Sequence, residues 1–339
     1  MNIRLSFCIP TLNFGSFIGE TLRSIIDQAD ERVQIVIVDG GSTDNTAAVV
    51  AEAATRFPNI KFIQREKRYG LDVDILETVK QADGEFCWLL GSDDLLVPGA
   101  VARAMSAIEA GGWDIFLTGV KICNLVMQPL HDHPILDCTE PQTFDWSVPA
   151  QRADYFRRAQ TSTAFFSFIS DVLVHRERWL AAPTIERFIG SYWIIAAKVF
   201  AMSQTGLRVR FDPAICVLKR LDNDSFAALG LMWRIDLSFR GFRDLACYFF
   251  GEGSLEANEV SRCVGNEFSF LTVLDIKRRI VQGGSRETRQ AFYALVRRNY
   301  AGDGVRNRVR YALVRLSPSW ILTILRPPCL FLMSLAKPK

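Results

Sequence analysis

Residues Phe86 to Pro98 read FCWLLGSDDLLVP, and the rest of the chain is organised around them. An apolar run from Phe86 to Leu90 meets Gly91 and Ser92, then two adjacent carboxylates, Asp93 and Asp94. A run of that length, bounded by Gly and Ser, predicts a buried strand that ends abruptly in a polar turn. Such a strand delivers both acids to the C-terminal edge of a sheet, where open α/β folds bind their ligands. Neighbouring carboxylates repel one another and lose hydration on burial, so they persist where a cation neutralises them. Oxygen donors of this kind suit Mg²⁺ or Mn²⁺, held by one or two carboxylates together with substrate phosphates. Taken alone, Ser-Asp-Asp also fits a solvated turn capping a helix that begins near Pro98. The residues upstream decide between the two.

Leu5 to Ile9 is predicted as the first strand, closed by Pro10, which cannot donate to a ladder. Thr11, Asn13, Gly15 and Ser16 form a polar loop before a helix over about Phe17 to Gln28. A second strand, Gln34 to Val38, is almost purely apolar and β-branched, as a strand covered on both faces should be. It ends at Asp39-Gly40-Gly41, and Ser42 to Thr46 caps a helix running to about Arg56. Ile60 to Gln64 and Phe86 to Leu90 are the next strands, with a helix from about Asp72 to Gln81 between them. This alternation predicts an α/β fold, a mostly parallel, right-handed, doubly wound sheet with helices on both faces. Three strand ends then place polar clusters on one edge: Thr11 and Asn13, Asp39 with Ser42 and Asp44, and Asp93 with Asp94. Together they enclose a crevice large enough for a nucleotide. Neither G-x-G-x-x-G nor G-x-x-x-x-G-K-[ST] is present, so phosphate charge falls to a metal at Asp93 and Asp94 and to cations such as Arg65, Lys67 and Arg68.

The 339 residues suffice for a large core, and 49% hydrophobic with 23% charged residues is a globular composition. A net charge of +3 argues against a general nucleic-acid binder. The eight cysteines are scattered without a C-x-x-C pair and are expected to be reduced core residues of a cytosolic protein. Leu5 to Pro10 is too short for a signal peptide.

The stretches SFCIPTLNFGSFIGETLRSI, VQIVIVDGGSTDNT and YGLDVDILETVKQADGEFCWLLGSDDLLVPGAV resemble the N-terminal half of the GT-A nucleotide-sugar glycosyltransferases of family two. The spacing at Gly70 to Asp74, with FIGSYW and RLDNDS downstream, is most similar to bacterial O-antigen sugar transferases of the abequosyltransferase-like type. The resemblance spans about the first hundred residues and continues more loosely to about residue 225. It implies that Pro10, Thr11, Asn13 and Ser42 line a nucleotide pocket and that Asp39 accepts a hydrogen bond from the base. It places Asp72 or Asp74 near base and ribose, with Gly70 allowing close backbone approach. Asp93 and Asp94 resemble the D-x-D element, Asp94 as direct metal ligand and Asp93 on ribose or metal-bound water. Gly91 departs from the pattern, since many relatives carry an acid there. The resemblance implies transfer of a hexosyl or deoxyhexosyl group from a nucleoside diphosphate-sugar to a lipid-linked oligosaccharide or other envelope glycan, with Mn²⁺ or Mg²⁺. Nucleotidyl transfer, or a non-catalytic glycan-binding or assembly subunit of the same fold, are the alternatives.

Downstream, Ala100 to Glu109 is predicted as a helix and Trp113 to Val120 as a strand. His131-Asp132-His133 is expected in a surface loop, Phe144 to Gln160 as a loop and helix facing the acceptor, and Phe165 to Trp179 as a strand and helix. The Glu-Asp pair that supplies the base in many relatives falls about at Gly190 to Trp193, where no acid stands. Asp171, Glu186, Asp222 and Asp224 are candidate bases, Asp171 preferred, and a mechanism without a base would fit retention. We expect a catalytic domain over 1–225, divided into a nucleotide-sugar and metal half, 1–100, and an acceptor half, 101–225. A basic helical extension follows over 226–339. Its arginines and the apolar, proline-broken run Trp320 to Leu335 suit the anionic surface of a membrane rather than a span. The expected location is the cytoplasmic face of the bacterial inner membrane, with self-association left open.

Overall fold

The computed structural model describes residues 3–223, 230–267, 270–283, 285–300 and 305–318. The run Trp320 to Leu335, and Asp224 among the candidate bases, lie outside the described residues. The chain divides into two compact units, residues 1–225 with 244–260, and residues 226–243 with 261–339. Residues 244–260, which composition groups with the extension, thus pack with the first unit.

In the first unit, β1 (Leu5–Thr11), β2 (Val33–Asp39) and β3 (Ile60–Gln64) alternate with α1 (Ile18–Ile26) and α2 (Thr46–Arg56), and α3 (Leu71–Gln81) leads into β4 (Phe86–Leu89). β1 and β2 are buried along their whole length, as their unbroken apolar sequence requires. The strands lie in the order β3-β2-β1-β4 and every pairing among them is parallel. The chain steps outward from β1 to β3 and then returns across β1 to β4, so right-handed crossovers put α1 and α2 on one face and α3 on the other. Accordingly α1 packs on α2, while α3 packs on β1 and β2. The reversal falls between β1 and β4, where such sheets leave a crevice at their carboxyl ends.

Pro10 does not close β1, because it pairs with Val38 and the strand continues to Thr11, opposite Asp39. Its alternate neighbour Cys8 takes the last amide from the β4 side, that of Leu90 at 3.1 Å. The missing N–H of Pro10 therefore points where that ladder has already ended, and costs no bond.

The first unit continues with β5 (Leu95–Leu96), α4 (Ala100–Ala110), β6 (Ile115–Cys123), β7 (Pro129–His133), β8 (Gln142–Asp145), α5 (Pro149–Arg158), β9 (Val172–His175), α6 (Arg176–Ala181), α7 (Ile194–Ser203) and β10 (Arg208–Arg220). The sheet extends as β4-β9-β6-β10-β5, with β7 on β6 and β8 on β10. Its two longest ladders, β1 with β2 and β6 with β10, are parallel, whereas β5, β7, β8 and β9 add short antiparallel ones. His131-Asp132-His133 is thus not a loop but part of an edge strand, paired with Val120 to Ile122 of β6. Its exposed, polar residues hid the strand, because an edge needs no apolar face. α7 is buried from Ile194 to Met202, the pattern of a helix with core on every side. Beside it Trp146, Tyr155, Phe156, Phe166, Phe200 and Phe250 form one aromatic cluster with centroids about 5 to 6 Å apart.

The second unit is helical, with α8 (Gly230–Phe250, up to residue 243), α9 (Leu255–Glu267, from residue 261), α10 (Phe270–Gly283), α11 (Arg286–Tyr300) and α12 (Val305–Leu316). Val273, Ile276, Ile280, Phe292, Leu295, Val296 and Val314 make its core. The buried Lys277 ammonium donates to the carbonyls of Val314, Arg315 and Ser317, satisfying the C-terminal end of α12.

Candidate functional site

The first two strand ends are stitched to each other. The Gly40 amide donates to the Thr11 carbonyl at 2.9 Å, the Asn13 amide to Ser42 Oγ at 2.8 Å, the Phe14 amide to Thr46 Oγ1 at 3.1 Å and the Gly15 amide to Asp44 Oδ2 at 2.9 Å. Asn13 takes the left-handed conformation, φ 59°, and its Oδ1 accepts from the Thr43 amide at 2.7 Å. Asn13, Ser42 and Asp44 therefore spend much of their polarity on holding the loops.

Asp39 is fully buried at the end of β2. Its Oδ1 accepts from the amides of Gly41 and Ser42 and from Ser42 Oγ, whereas Oδ2 has no hydrogen-bond partner among the described residues; nor has the buried Thr11 Oγ1. Groups of this kind are rare unless something else satisfies them. Asp74 lies close by, because a Cβ placed on Gly40 would come within 2.8 Å of its Oδ2. Arg65, 3.3 Å from Asp74 and 3.6 Å from Glu77, also lies over the ring of the exposed Tyr69. Burial pushes the Asp74 carboxyl up to about 6, with Asp39 and Glu77 adding to the rise and Arg65 opposing it.

Asp72 does something else. Its Oδ2 accepts the Tyr192 amide at 3.0 Å, the backbone of Gly190 and Ser191 also favours its charged form, and its buried Oδ1 has no hydrogen-bond partner among the described residues. Gly190 and Tyr192 have φ of 82° and 65°. Burial raises the Asp72 carboxyl to about 6 against that backbone. Asp72 therefore latches the loop at Gly190 to Tyr192, where the resemblance leads one to expect an acid pair.

The third strand end holds the acid pair. Asp94 is buried; its Oδ2 accepts from Ser170 Oγ at 2.5 Å and its Oδ1 from the Arg220 amide at 3.0 Å. Ser170 Oγ in turn accepts the Gly91 amide at 2.9 Å, and the Ser170 carbonyl accepts Trp88 Nε1 at 2.8 Å. Burial pushes the Asp94 carboxyl up to about 7, and the Asp93 charge adds to the rise. Asp93 is half-buried and accepts from Asn223 Nδ2 at 2.9 Å. The two acids border one small space: a Cβ on Gly91 would stand 3.0 Å from Asp94 Oδ2 and 3.3 Å from Asp93 Oδ1. The absent acid at 91 thus leaves a cradle between two carboxylates, which fits a hard divalent cation completed by ligand phosphate oxygens. No group of three or more His, Cys, Asp or Glu stands together as a metal cage among the described residues.

Asp171, expected as the base, is fully buried at the start of β9, with neither carboxylate oxygen hydrogen-bonded among the described residues. Burial raises it well above the usual carboxylate range. The strand-like run around it was legible, but not the burial of its side chain. Glu186 lies in a 3-10 turn and Asp222 is exposed with φ 64°. Two residues escaped the sequence reading. Ser170 lies inside the run expected as a strand and helix, with nothing local to mark its role. Arg220, 6% exposed, donates to Asp93 and Leu125 carbonyls and to Glu20, and covers the Phe17 ring. Its one signal was a basic residue closing an apolar strand.

Thr11 pairs with Asp39 across β1 and β2, while Cys8 pairs with Leu89 across β1 and β4, so the three polar turns, two of them acidic, share one edge and flank the switch point. A mostly parallel α/β sheet with an acid pair and open buried acceptors at that edge is a GT-A-like arrangement. Residues 6–168 match the glycosyl transferase family 2 profile, and the chain is a glycosyltransferase. It is 29% identical over 255 residues to abequosyltransferase RfbV of Salmonella typhimurium, covering 73% of this chain and 76% of that one. It is also 29% identical over 114 residues to the GalNAc(5)-diNAcBac-PP-undecaprenol beta-1,3-glucosyltransferase of Campylobacter jejuni, covering 33% and 37%. In fold it is similar to S. aureus TarS 1–349, solved in complex with UDP-GlcNAc (TM-score 0.62, 15% identity, 92% and 87% covered). It also resembles the mannosyltransferase PcManGT of Pyrobaculum calidifontis, solved with GDP-Man and Mn²⁺ (TM-score 0.51, 15% identity, 97% and 86% covered).

Proposed function

We propose that this glycosyltransferase takes a hexosyl or deoxyhexosyl group from a nucleoside diphosphate-sugar and passes it to a hydroxyl of a lipid-linked oligosaccharide or related envelope glycan. One observation carries the donor reading: Asp39 Oδ2 and Thr11 Oγ1 lie buried without a hydrogen-bond partner among the described residues at the carboxyl edge of the sheet, where a nucleobase would supply the missing partners. Asp74 and Arg65 form the wall beside them, and Asp93 and Asp94 lie across β1. The deoxyhexosyl alternative follows the Salmonella relative, named an abequosyltransferase, and the lipid-linked acceptor follows the Campylobacter relative, named for an undecaprenol-linked glycan.

Asp93 and Asp94 would hold Mn²⁺ or Mg²⁺ in the Gly91 cradle. Such an ion supplies Lewis-acid neutralisation of the charge that gathers on the departing diphosphate. Ser170 and Arg220 fix the orientation of Asp94, and the latch from Asp72 sets the backbone at Gly190 to Tyr192 along the acceptor side.

Association with a membrane surface is part of this reading. α12 exposes Val309, Leu313 and Leu316 at helical spacing, with Arg308 and Arg315 exposed beside them, as an interfacial helix does. No helix among the described residues is long and apolar enough to cross a membrane.

Thermal unfolding of the full chain with a panel of nucleoside diphosphate sugars, each with and without Mn²⁺, tests the donor assignment. A ligand at about a hundred times its dissociation constant should add about 2.7 kcal/mol. Stabilisation by none of the panel under either condition would defeat the proposal.

A further inference from the structure

The hairpin joining β6 to β7 holds apolar side chains in solvent: Leu125 is 44%, Val126 71% and Leu130 55% exposed. The tip is firmly built. Asn124 Oδ1 accepts the amides of Val126 at 3.1 Å and Gln128 at 2.9 Å, Asn124 Nδ2 donates to Gln128 Oε1 at 2.9 Å, and Met127 is held at φ 62°. A left-handed methionine is costly, and a rigid loop that spends that cost on presenting aliphatic residues points to a binding surface. No acid lies between Ile122 and His131, so the tip meets an anionic surface without repulsion. Arg220 fixes where it stands, with its guanidinium donating to the carbonyls of both Leu125 and Asp93 at 2.5 and 2.9 Å. The apolar tip therefore adjoins the acid pair on the same sheet edge.

We propose that this tip enters the acyl boundary of a phospholipid bilayer and seats the mouth of the donor crevice at the surface that carries the acceptor. The proposal rests on the transfer of sugar to a lipid-borne acceptor. A convex point of a few aliphatic side chains is far below the roughly 800 Å² per partner of a stable protein interface, whereas a bilayer receives such a point without a matching pocket. His131 and the Lys121–Asp132 pair, at the base of the hairpin, come to headgroup level.

The test uses the full chain and vesicles of phosphatidylethanolamine and phosphatidylglycerol. Tryptophan emission of Val126→Trp, measured against wild type, should be quenched by brominated acyl chains. The double variant Leu125→Asp, Val126→Asp should lose about tenfold or more in vesicle partitioning, the share of two aliphatic side chains. Leu180→Asp, an exposed change on α6 at the other edge of the sheet, should partition as wild type does. Donor hydrolysis without vesicles should be the same in all variants. Absent quenching, or unchanged partitioning of the double variant, overturns the tip and leaves sugar transfer standing. A wild-type chain that hydrolyses no sugar nucleotide removes the underlying reading instead, whatever the quenching shows.

Discussion

Gly91 separates two carboxylates by leaving out a side chain, and adding one methyl group is the sharpest probe of that space. Gly91→Ala puts a Cβ at 3.0 to 3.3 Å from Asp94 Oδ2, Ser170 Oγ and Asp93 Oδ1. It should weaken Mn²⁺-dependent turnover by about tenfold or more, as loss of one good contact does, read as a raised half-saturating Mn²⁺ concentration with little change in melting temperature. Asp74 offers a test by proton linkage. Its native value is raised to about 6 from an ordinary 3.8, so the folded chain holds a proton between those values that the unfolded chain releases. The stability it contributes is complete below about pH 4 and lost as pH rises through about 6. Asp74→Asn should thus lead wild type most at pH 7, and the lead should shrink by about 3 kcal/mol by pH 4 in urea unfolding. A constant gap would mean that Asp74 titrates normally.

Among elements, the latch between the first turn of α3 and the loop at Gly190 to Tyr192 carries its own expectation. Asp72→Ala strands the Tyr192 amide and should cost about 1 to 2 kcal/mol of stability. In steady-state kinetics it should raise KM for the acceptor while KM for the donor stays put; an equal rise in both would place Asp72 in the donor pocket. The latch also shows where sequence reading stops. The strands at Leu5, Gln34 and Phe86 were legible because buried parallel strands read as apolar runs, and the polar turns were legible because they follow those runs. The partner of Asp72 lies 120 residues away, and nothing local announces such a pairing. Likewise β7 carries no apolar alternation, and the burial of Asp171 depends on how β9 sits between β4 and β6. Local pattern gives elements and their ends; it does not give the direction of one side chain.

On the scale of the whole molecule, the basic helices and the segment beyond them make a prediction independent of catalysis. Truncation after Ser317 should release the full-length chain from anionic vesicles, with co-sedimentation as the measurement, and binding that survives intact would remove that segment as an anchor. Partitioning of the untruncated chain should fall with salt, since about a kcal/mol attends each lysine or arginine near an anionic surface and screening shortens its reach.

The place of β1 has a consequence for how the protein is made. β1 lies between β2 and β4, so the edge that takes β4 stays open until residue 89 has been synthesised, long after β2 is available to the other edge, and β4 itself waits for β9. Non-local pairing of this kind is slow and leaves apolar strands uncovered in the meantime. The nascent N-terminal half should therefore be a strong client for chaperones, and ribosome-bound chains arrested before about residue 86 should be far more readily digested by protease than chains released after β10.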